Sequence, residues 1–344
     1  MKVLYAIQGT GNGHLSRAED IVPYLQKRCD VDILVSGTQS QLTPSFQIDY
    51  QLRGMSFMAS KKGKVALLKT AVNTNIFTFF KEITQFPAKN YDLIISDFEP
   101  ISAWSAKYHG VKSVELSHQA AVAHPNAPKP LEKHRVGSAI LGNYCPSHRK
   151  YGFHFESYAP SIFTPVIREK IRELHSENLG HYTVYLPAYH DDYIIQTLMH
   201  FPVEWQIFSK YAKSRYRVNN VWVNPIDSKQ FTESLRTSEG VLCGAGFELP
   251  AEALFLGKKL MVIPMMGQYE QLCNAESLRN LGVVVLDKLC LLQRRTISSW
   301  ILNTKRIEVY YPNRTENIID TIFNDLRPSQ EGISTPQLSD LVGI

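Results

Sequence analysis

Three stretches hold residues with chemistry to offer. The first is Gln8-Gly9-Thr10-Gly11-Asn12-Gly13-His14, a glycine loop ending on an imidazole. Histidine titrates near neutral pH, which suits proton transfer; the plain alternative for His14 is packing at a helix start. The second is Asp97, which ends the strand-like run Tyr91–Asp97. It is either a site carboxylate or the cap of the helix after Pro100. The third is Leu242–Ala275. There Gly244-Ala245-Gly246 turns the chain into an expected helix, Phe247–Leu256, with Pro250 in its first turn and Gly257 closing it. A helix start aims free N–H groups and partial positive charge at whatever sits over the turn, and phosphate fits that place. Leu260–Ile263 follows as a strand stopped by Pro264, and the polar run Gln268, Glu270, Gln271 and Asn274 comes next. Each piece has a plain reading too: Gly-x-Gly as a tight turn, Glu252 as a solvated charge, Glu270-Gln271 as loop polarity.

Other chemistries find less support. The five cysteines are scattered and odd in number, with no CxxC, so neither a disulfide framework nor a zinc site is expected, and a reducing cytoplasm fits. His118, His124, His134, His148 and His154 lack tight ligand spacings. His190-Asp191-Asp192 looks like a metal motif, but Asp191 or Asp192 as a helix cap is the favoured reading. A dinucleotide fingerprint would need a third glycine where His14 stands, and no acid ends the second strand, Val31–Val35. Met1-Lys2 runs straight into a strand, so no signal peptide is expected, and no apolar run reaches the roughly 18 residues of a membrane span. A net charge of +5 suits anionic ligands or an anionic membrane without selecting either.

The elements that must position these groups alternate. Val3–Ile7, the glycine loop and the amphipathic segment Ser16–Arg28 open a Rossmann-like unit. Gln47–Gly54 is a third strand. Met55–Phe86 mixes aromatics with lysines; it is read as a loop and a core helix, Val65–Gln85, with a membrane-facing surface as the alternative. Val111–Leu116 is the next strand. Ligands sit at the carboxyl ends of such strands, where His14, Asp97 and His118 would gather. Ala120–Ser161 reads as loops plus one helix, and its basic cluster, Lys129, Lys133, His134 and Arg135, as solvated surface. Pro160–Pro165 reads as the interdomain linker. Tyr182–Leu186, Trp205–Phe208, Val221–Pro225 and Val283–Leu286 are strands, and Tyr193–Met199, Phe231–Thr237 and Thr315–Leu326 are helices. Pro328–Ile344 is a loose tail.

Gly244-x-Gly246, Glu252-Ala253-Leu254, Gly257, Ile263-Pro264, Gln268-x-Glu270-Gln271 and Asn274-Ala275 together resemble the donor-site signature of GT-B glycosyltransferases. The nearest likeness is to MurG-type N-acetylglucosaminyltransferases (the family 28 group) and their uncharacterised relatives; UDP-glucuronosyltransferases are similar more distantly. The resemblance implies an α/β fold of two Rossmann-like domains facing across a cleft. The expected divisions are an acceptor-side domain at 1–160, a nucleotide-sugar domain at 161–311, a helix at 312–327 folding back on the first domain, and the tail at 328–344.

It also implies an inverting transferase that moves a sugar from a nucleotide diphosphate sugar, a UDP-sugar by family likeness, to an acceptor hydroxyl, free or lipid-linked. By this likeness His14 is the base and Asp97 the carboxylate that orients it. The turn Gly244, Gly246 and Phe247 faces the diphosphate, and Glu252 accepts from ribose. Gln268, Glu270 and Gln271 lie on the sugar side. Gly9, Gly11, Asn12 and Gly13 form the N-terminal loop, with His118 and Gln119 on the acceptor side. No cofactor, metal or nucleic acid is implied. A cytoplasmic protein is, with a peripheral contact between its first domain and an anionic membrane. One departure stands out: the loop Pro187–Asp192, glycine-rich in MurG-type enzymes, has no glycine and two acids. Two other functions stay open: a nucleotide-sugar epimerase of the same architecture, and a non-catalytic sugar-nucleotide or lipid-head-group binding protein.

Overall fold

The computed structural model describes residues 1–9, 12–37, 44–54, 76–132 and 134–326. Among these, two seven-stranded sheets carry the chain. The first holds β1 (Lys2–Gln8), β2 (Asp30–Ser36), β3 (Tyr50–Leu52), β4 (Leu93–Asp97), β5 (Ser113–Ser117), β6 (Arg149–Phe153) and β7 (Ile162–Phe163) in the order β3-β2-β1-β4-β5-β6-β7. All its pairings are parallel. The second holds β8 (His181–Tyr185), β9 (Glu204–Ser209), β10 (Tyr216–Val218), β11 (Val221–Pro225), β12 (Gly240–Gly244), β13 (Lys259–Ile263) and β14 (Val284–Val285) in the order β10-β11-β9-β8-β12-β13-β14. Only β10 runs antiparallel there. Strands such as Leu93–Asp97 and Lys259–Ile263 are buried along their whole length, as parallel strands covered on both faces must be.

Each sheet has one place where the strand order reverses. In the first it lies between β1 and β4, in the second between β8 and β12. Crevices open at the carboxyl ends of such neighbours. The first crevice therefore receives the loop after Gln8 and the carboxylate of Asp97. The second receives Gly244 and the turn that follows. The two halves share one continuous apolar cluster, from Val3, Tyr5 and Ile7 through Phe155 and Phe247 to Val241 and Leu254. The last helix, Thr315–Asp325, buries Ile318, Ile319 and Ile322 in that cluster. It packs on the helix Asn12–Gln26 and is tied by Arg28 to Asp320 and by the Tyr151 hydroxyl, which donates to Asp325 at 2.7 Å.

Several expectations need correcting. Ile162–Phe163, placed in the linker, is an edge strand whose register is Gly152↔Ile162 and Phe153↔Phe163. Its partner β6 was hidden because Arg149-Lys150 opens it and Gly152 interrupts its apolar run. The capping acid after β4 is Glu99, whose carboxylate accepts from the amides of Ile101 (2.9 Å) and Ser102 (2.6 Å). Neither Asp191 nor Asp192 caps the helix Asp191–Leu198; it starts after His190 without a side-chain cap, and Asp191 accepts from the Ser209 hydroxyl at 2.6 Å. The helix Ile76–Gln85 leaves Phe77 and Phe80 exposed while burying Ile83, so it is not wholly a core helix. Gly11, Thr10, Lys133, residues 55–75 and the tail from 327 lie outside the described residues.

Candidate active site

The glycine loop delivers His14 as the third residue of the helix Asn12–Gln26. Its Nδ1 lies 2.9 Å from Oδ1 of Asp97. Asp97 reaches that point because Phe98, at φ 56°, takes the left-handed conformation a bulky residue seldom adopts. The chain thus reverses between strand and helix, turning Asp97 toward His14 and leaving Glu99 to cap. With Nδ1–H donated to Asp97, the lone pair of His14 sits on Nε2, the nitrogen nearer the cleft.

Arg17 stands one turn beyond His14 and is buried. Its Nη2 donates to both Asp97 oxygens, at 2.7 and 2.8 Å, and its Nη1 donates to Glu248 of the other half. Nη2 also lies 3.3 Å from His14 Nδ1. Both are donors in this arrangement, so Asp97 is the acceptor they share. Burial by itself would raise the Asp97 carboxyl; the Arg17 guanidinium and His14 outweigh it and hold the group below the usual carboxylate range. Glu248 goes the other way: burial pushes it up to about 7, against the pull of Arg17.

Across the crevice, the helix Glu248–Phe255 begins right after the turn and has no side-chain cap at its N-terminus. A Cβ built on Gly246 would meet nothing within 4 Å, so that backbone faces open space. A Cβ on Gly13 would lie 3.1 Å from Cγ of Glu248, so the two glycine loops approach closely there. Glu252 is buried, and its two oxygens accept from Arg168 Nε (2.5 Å) and Nη2 (2.6 Å). It is not a solvated charge. Two donors leave part of a carboxylate's four-lone-pair capacity for hydroxyl groups.

Glu270 opens the helix Tyr269–Asn280 and accepts from Gln119 Nε2 at 3.1 Å. The same Nε2 lies 3.4 Å from His14 Nε2. Gln119 thus stands between His14 and Glu270. Gln271 accepts from the Met265 amide at 2.8 Å and so braces the loop after β13. Gln268 is half-buried just ahead of the same helix and makes no capping bond. His118 is 2% exposed and offers no surface to an acceptor. It stacks on Phe247, reaches Asn274 Oδ1 at 2.8 Å and belongs to the contact between the halves. It was expected on the acceptor side, and it lies where the two halves meet.

Arg17, Glu248 and Arg168 carry much of the site's charge and hydrogen bonding, and the sequence reading missed them. Arg17 left a readable signal: it lies three residues from His14, on a face whose neighbours Ala18, Ile21 and Leu25 are apolar. Among the described residues no cluster of three or more His, Cys, Asp or Glu is placed to hold a metal ion, and no helix is long and apolar enough to cross a membrane.

The family model described as glycosyl transferase family 1 matches residues 1–304. The chain belongs to glycosyl transferase family 1. No curated protein sequence matches it. Solved structures similar to this glycosyltransferase include Acinetobacter baumannii MurG, at 15% identity and a TM-score of 0.57 over 94% of this chain and 99% of the other. Another is Phytolacca americana UGT2, solved with UDP-2-fluoro-glucose and pterostilbene, at 12% identity and 0.57 over 99% and 98%. The kitacinnamycin glycosyltransferase is a third, at 12% identity and 0.58 over 95% and 94%. These likenesses establish that the family-1 glycosyltransferase has the GT-B fold.

Proposed function

We propose that this glycosyltransferase moves a sugar from a nucleotide diphosphate sugar, a UDP-sugar, to an acceptor hydroxyl with inversion at the anomeric carbon. The observation that carries the reading is the 2.9 Å contact between His14 and Asp97, set at one crevice and facing the Gly244–Gly246 turn at the other. Asp97 fixes the ring and stabilises the imidazolium that forms as Nε2 takes the acceptor proton. The hydroxyl attacks the anomeric carbon in line and the diphosphate leaves. Its charge meets the amides of Gly246, Phe247 and the uncapped helix start, an arrangement organised before the reaction. Glu252 receives ribose hydroxyls; Glu270, Gln271 and Gln268 face the sugar. Gly9, Asn12, Gly13 and Gln119 shape the acceptor side.

The acceptor is a hydroxyl compound, free or lipid-linked. A peripheral contact with an anionic membrane belongs to the reading, with Phe77 and Phe80 exposed next to Lys81 on the first half. The first test is thermal stabilisation by a panel of nucleoside diphosphates and nucleotide sugars, since a ligand that binds the folded state raises its melting temperature. A shift with UDP and one UDP-sugar supports the donor site. No shift with any nucleotide overturns it. His14→Ala should then cut turnover sharply while keeping that shift, and an unchanged rate would remove His14 as base.

A further inference from the structure

Asp97 accepts from two donors, not one. His14 takes one oxygen; Arg17 takes both, and Arg17 is itself shared with Glu248 on the far side of the cleft. The guanidinium is fully enclosed, with the Phe153 ring 5.3 Å from its central carbon. A buried cation between two acids divides its hydrogen bonds between them, and in low dielectric that division decides how each acid behaves. Other charged or titratable groups face the same knot: Tyr5 from β1, Glu115 from β5, His118 beyond the end of β5, and Glu252 one turn beyond Glu248. Among the described residues of this knot, Arg17 is the cation in contact with Asp97.

We propose that Arg17 is a positioning residue that keeps Asp97 serviceable to His14, and that Glu248, reaching across the cleft, sets how much of Arg17 Asp97 receives. The proposal rests on the reading of His14 and Asp97 as base and partner. It makes that pair part of a four-residue chain, His14, Asp97, Arg17 and Glu248, that is complete only when the two halves meet. Without Arg17 only His14 is left to offset the burial of Asp97, and the carboxyl takes up a proton at higher pH. A protonated Asp97 no longer holds the imidazolium. With Glu248 neutralised, Arg17 is left to Asp97 alone, and the opposite change follows.

The experiment compares Arg17→Met, Arg17→Lys and Glu248→Gln with the natural protein. Two things are read: the pH profile of sugar transfer, and the melting temperature of the ligand-free protein between pH 5 and 8. Arg17→Met is expected to lower turnover by a factor of about 100 or more and to move the acid limb up by roughly one pH unit. Arg17→Lys is expected to bring the limb back while leaving the rate below natural, because an ammonium restores the charge but not the two-pronged bond. In Glu248→Gln the limb moves down or stays, and never up. Loss of rate in both Arg17 variants with an unmoved limb would reduce Arg17 to packing and overturn the proposal.

The melting series needs no substrate. Set against Glu248→Gln, the double variant Arg17→Met/Glu248→Gln isolates Asp97, and the deficit it shows at pH 8 is expected to shrink toward pH 5 as Asp97 protonates. A deficit independent of pH overturns the proposal whether or not transfer is ever detected. A shrinking deficit with no transfer leaves Arg17's hold on Asp97 standing and instead sinks the assignment of the reaction. If Arg17→Met does not fold, Arg17→Lys and Glu248→Gln still decide: the lysine limb is expected near its natural place and the glutamine limb at or below it, and an upward move in Glu248→Gln overturns the proposal.

Discussion

His118 and Phe247 lie face to face, their ring centroids 3.9 Å apart and their planes 8° from parallel. One belongs to the helix after β5, the other to the turn after β12. The pair is the aromatic centre of the contact between the halves, with Phe155 and His154 packed around it.

Phe247→Leu keeps the apolar contact and loses the stack. Aromatic pairs of this kind contribute on the order of 1 kcal/mol beyond the area they bury, so unfolding free energy should fall by about 1–2 kcal/mol. Chemical denaturation measures it. A loss near zero would mean that the stack holds nothing the leucine cannot.

His14→Ala and Asp97→Asn separate chemistry from structure. His14 is near the surface of the crevice, so its loss should lower kcat by roughly 100- to 10,000-fold with donor affinity nearly unchanged. Asp97→Asn removes the buried partner of Arg17 as well, and breaking such a pair costs about 3–5 kcal/mol of stability. Steady-state kinetics and denaturation on the two variants should therefore diverge: one inactive but as stable as the natural protein, the other inactive and destabilised.

Glu252→Ala tests the ribose role. Arg168 would lose its partner, and the donor would lose an acceptor for its hydroxyls. The donor KM, or the Kd of UDP by calorimetry, should rise by about tenfold or more, the effect of losing charge-assisted bonds of roughly 1.5–3 kcal/mol. Unchanged UDP affinity would leave Glu252 as a partner of Arg168 and nothing more.

His154 supplies a pH dependence. It is fully buried, its Nδ1 lies 3.3 Å from the Ser277 hydroxyl, and its Nε2 has no hydrogen-bond partner among the described residues. Burial first, and then the neighbouring His118, hold its pKa well below the ordinary 6.5. It is therefore neutral in the fold and takes up a proton on unfolding, so stability is lost as pH falls below about 6.5. His154→Phe should lessen that acid slope by up to about 1.4 kcal/mol per pH unit, one proton's worth. Melting curves from pH 7 to 5 decide it; equal slopes would show that the group does not titrate between the two states.

Both glycine turns and the strands behind them were legible in the sequence because their signals are local: a β-branched run, a Gly-x-Gly, then a helical stretch. His14 and Asp97 could be paired only through the likeness to known enzymes, since 83 residues separate them and the parallel pairing of β1 with β4 joins them. Arg168 and Glu252 lie 84 residues apart, and their bond depends on how the two halves meet. No pattern along the chain encodes such a meeting. β6 and β7 were missed for a different reason: β6 opens on Arg149-Lys150 and is interrupted by Gly152, and β7 has only two residues, so pairing, not hydrophobic run length, makes them strands.

The helix Thr315–Asp325 brings the chain back to where it began. Among the described residues the polypeptide therefore passes between the halves twice, once between β7 and β8 and again after the helix Arg294–Leu302. A single tether would let one half swing and twist freely against the other. Two tethers act like the paired pins of a door and leave one axis through both crossings as the easy rotation. An opening of the cleft about that axis would carry the Gly244–Gly246 turn away from His14 along a single arc.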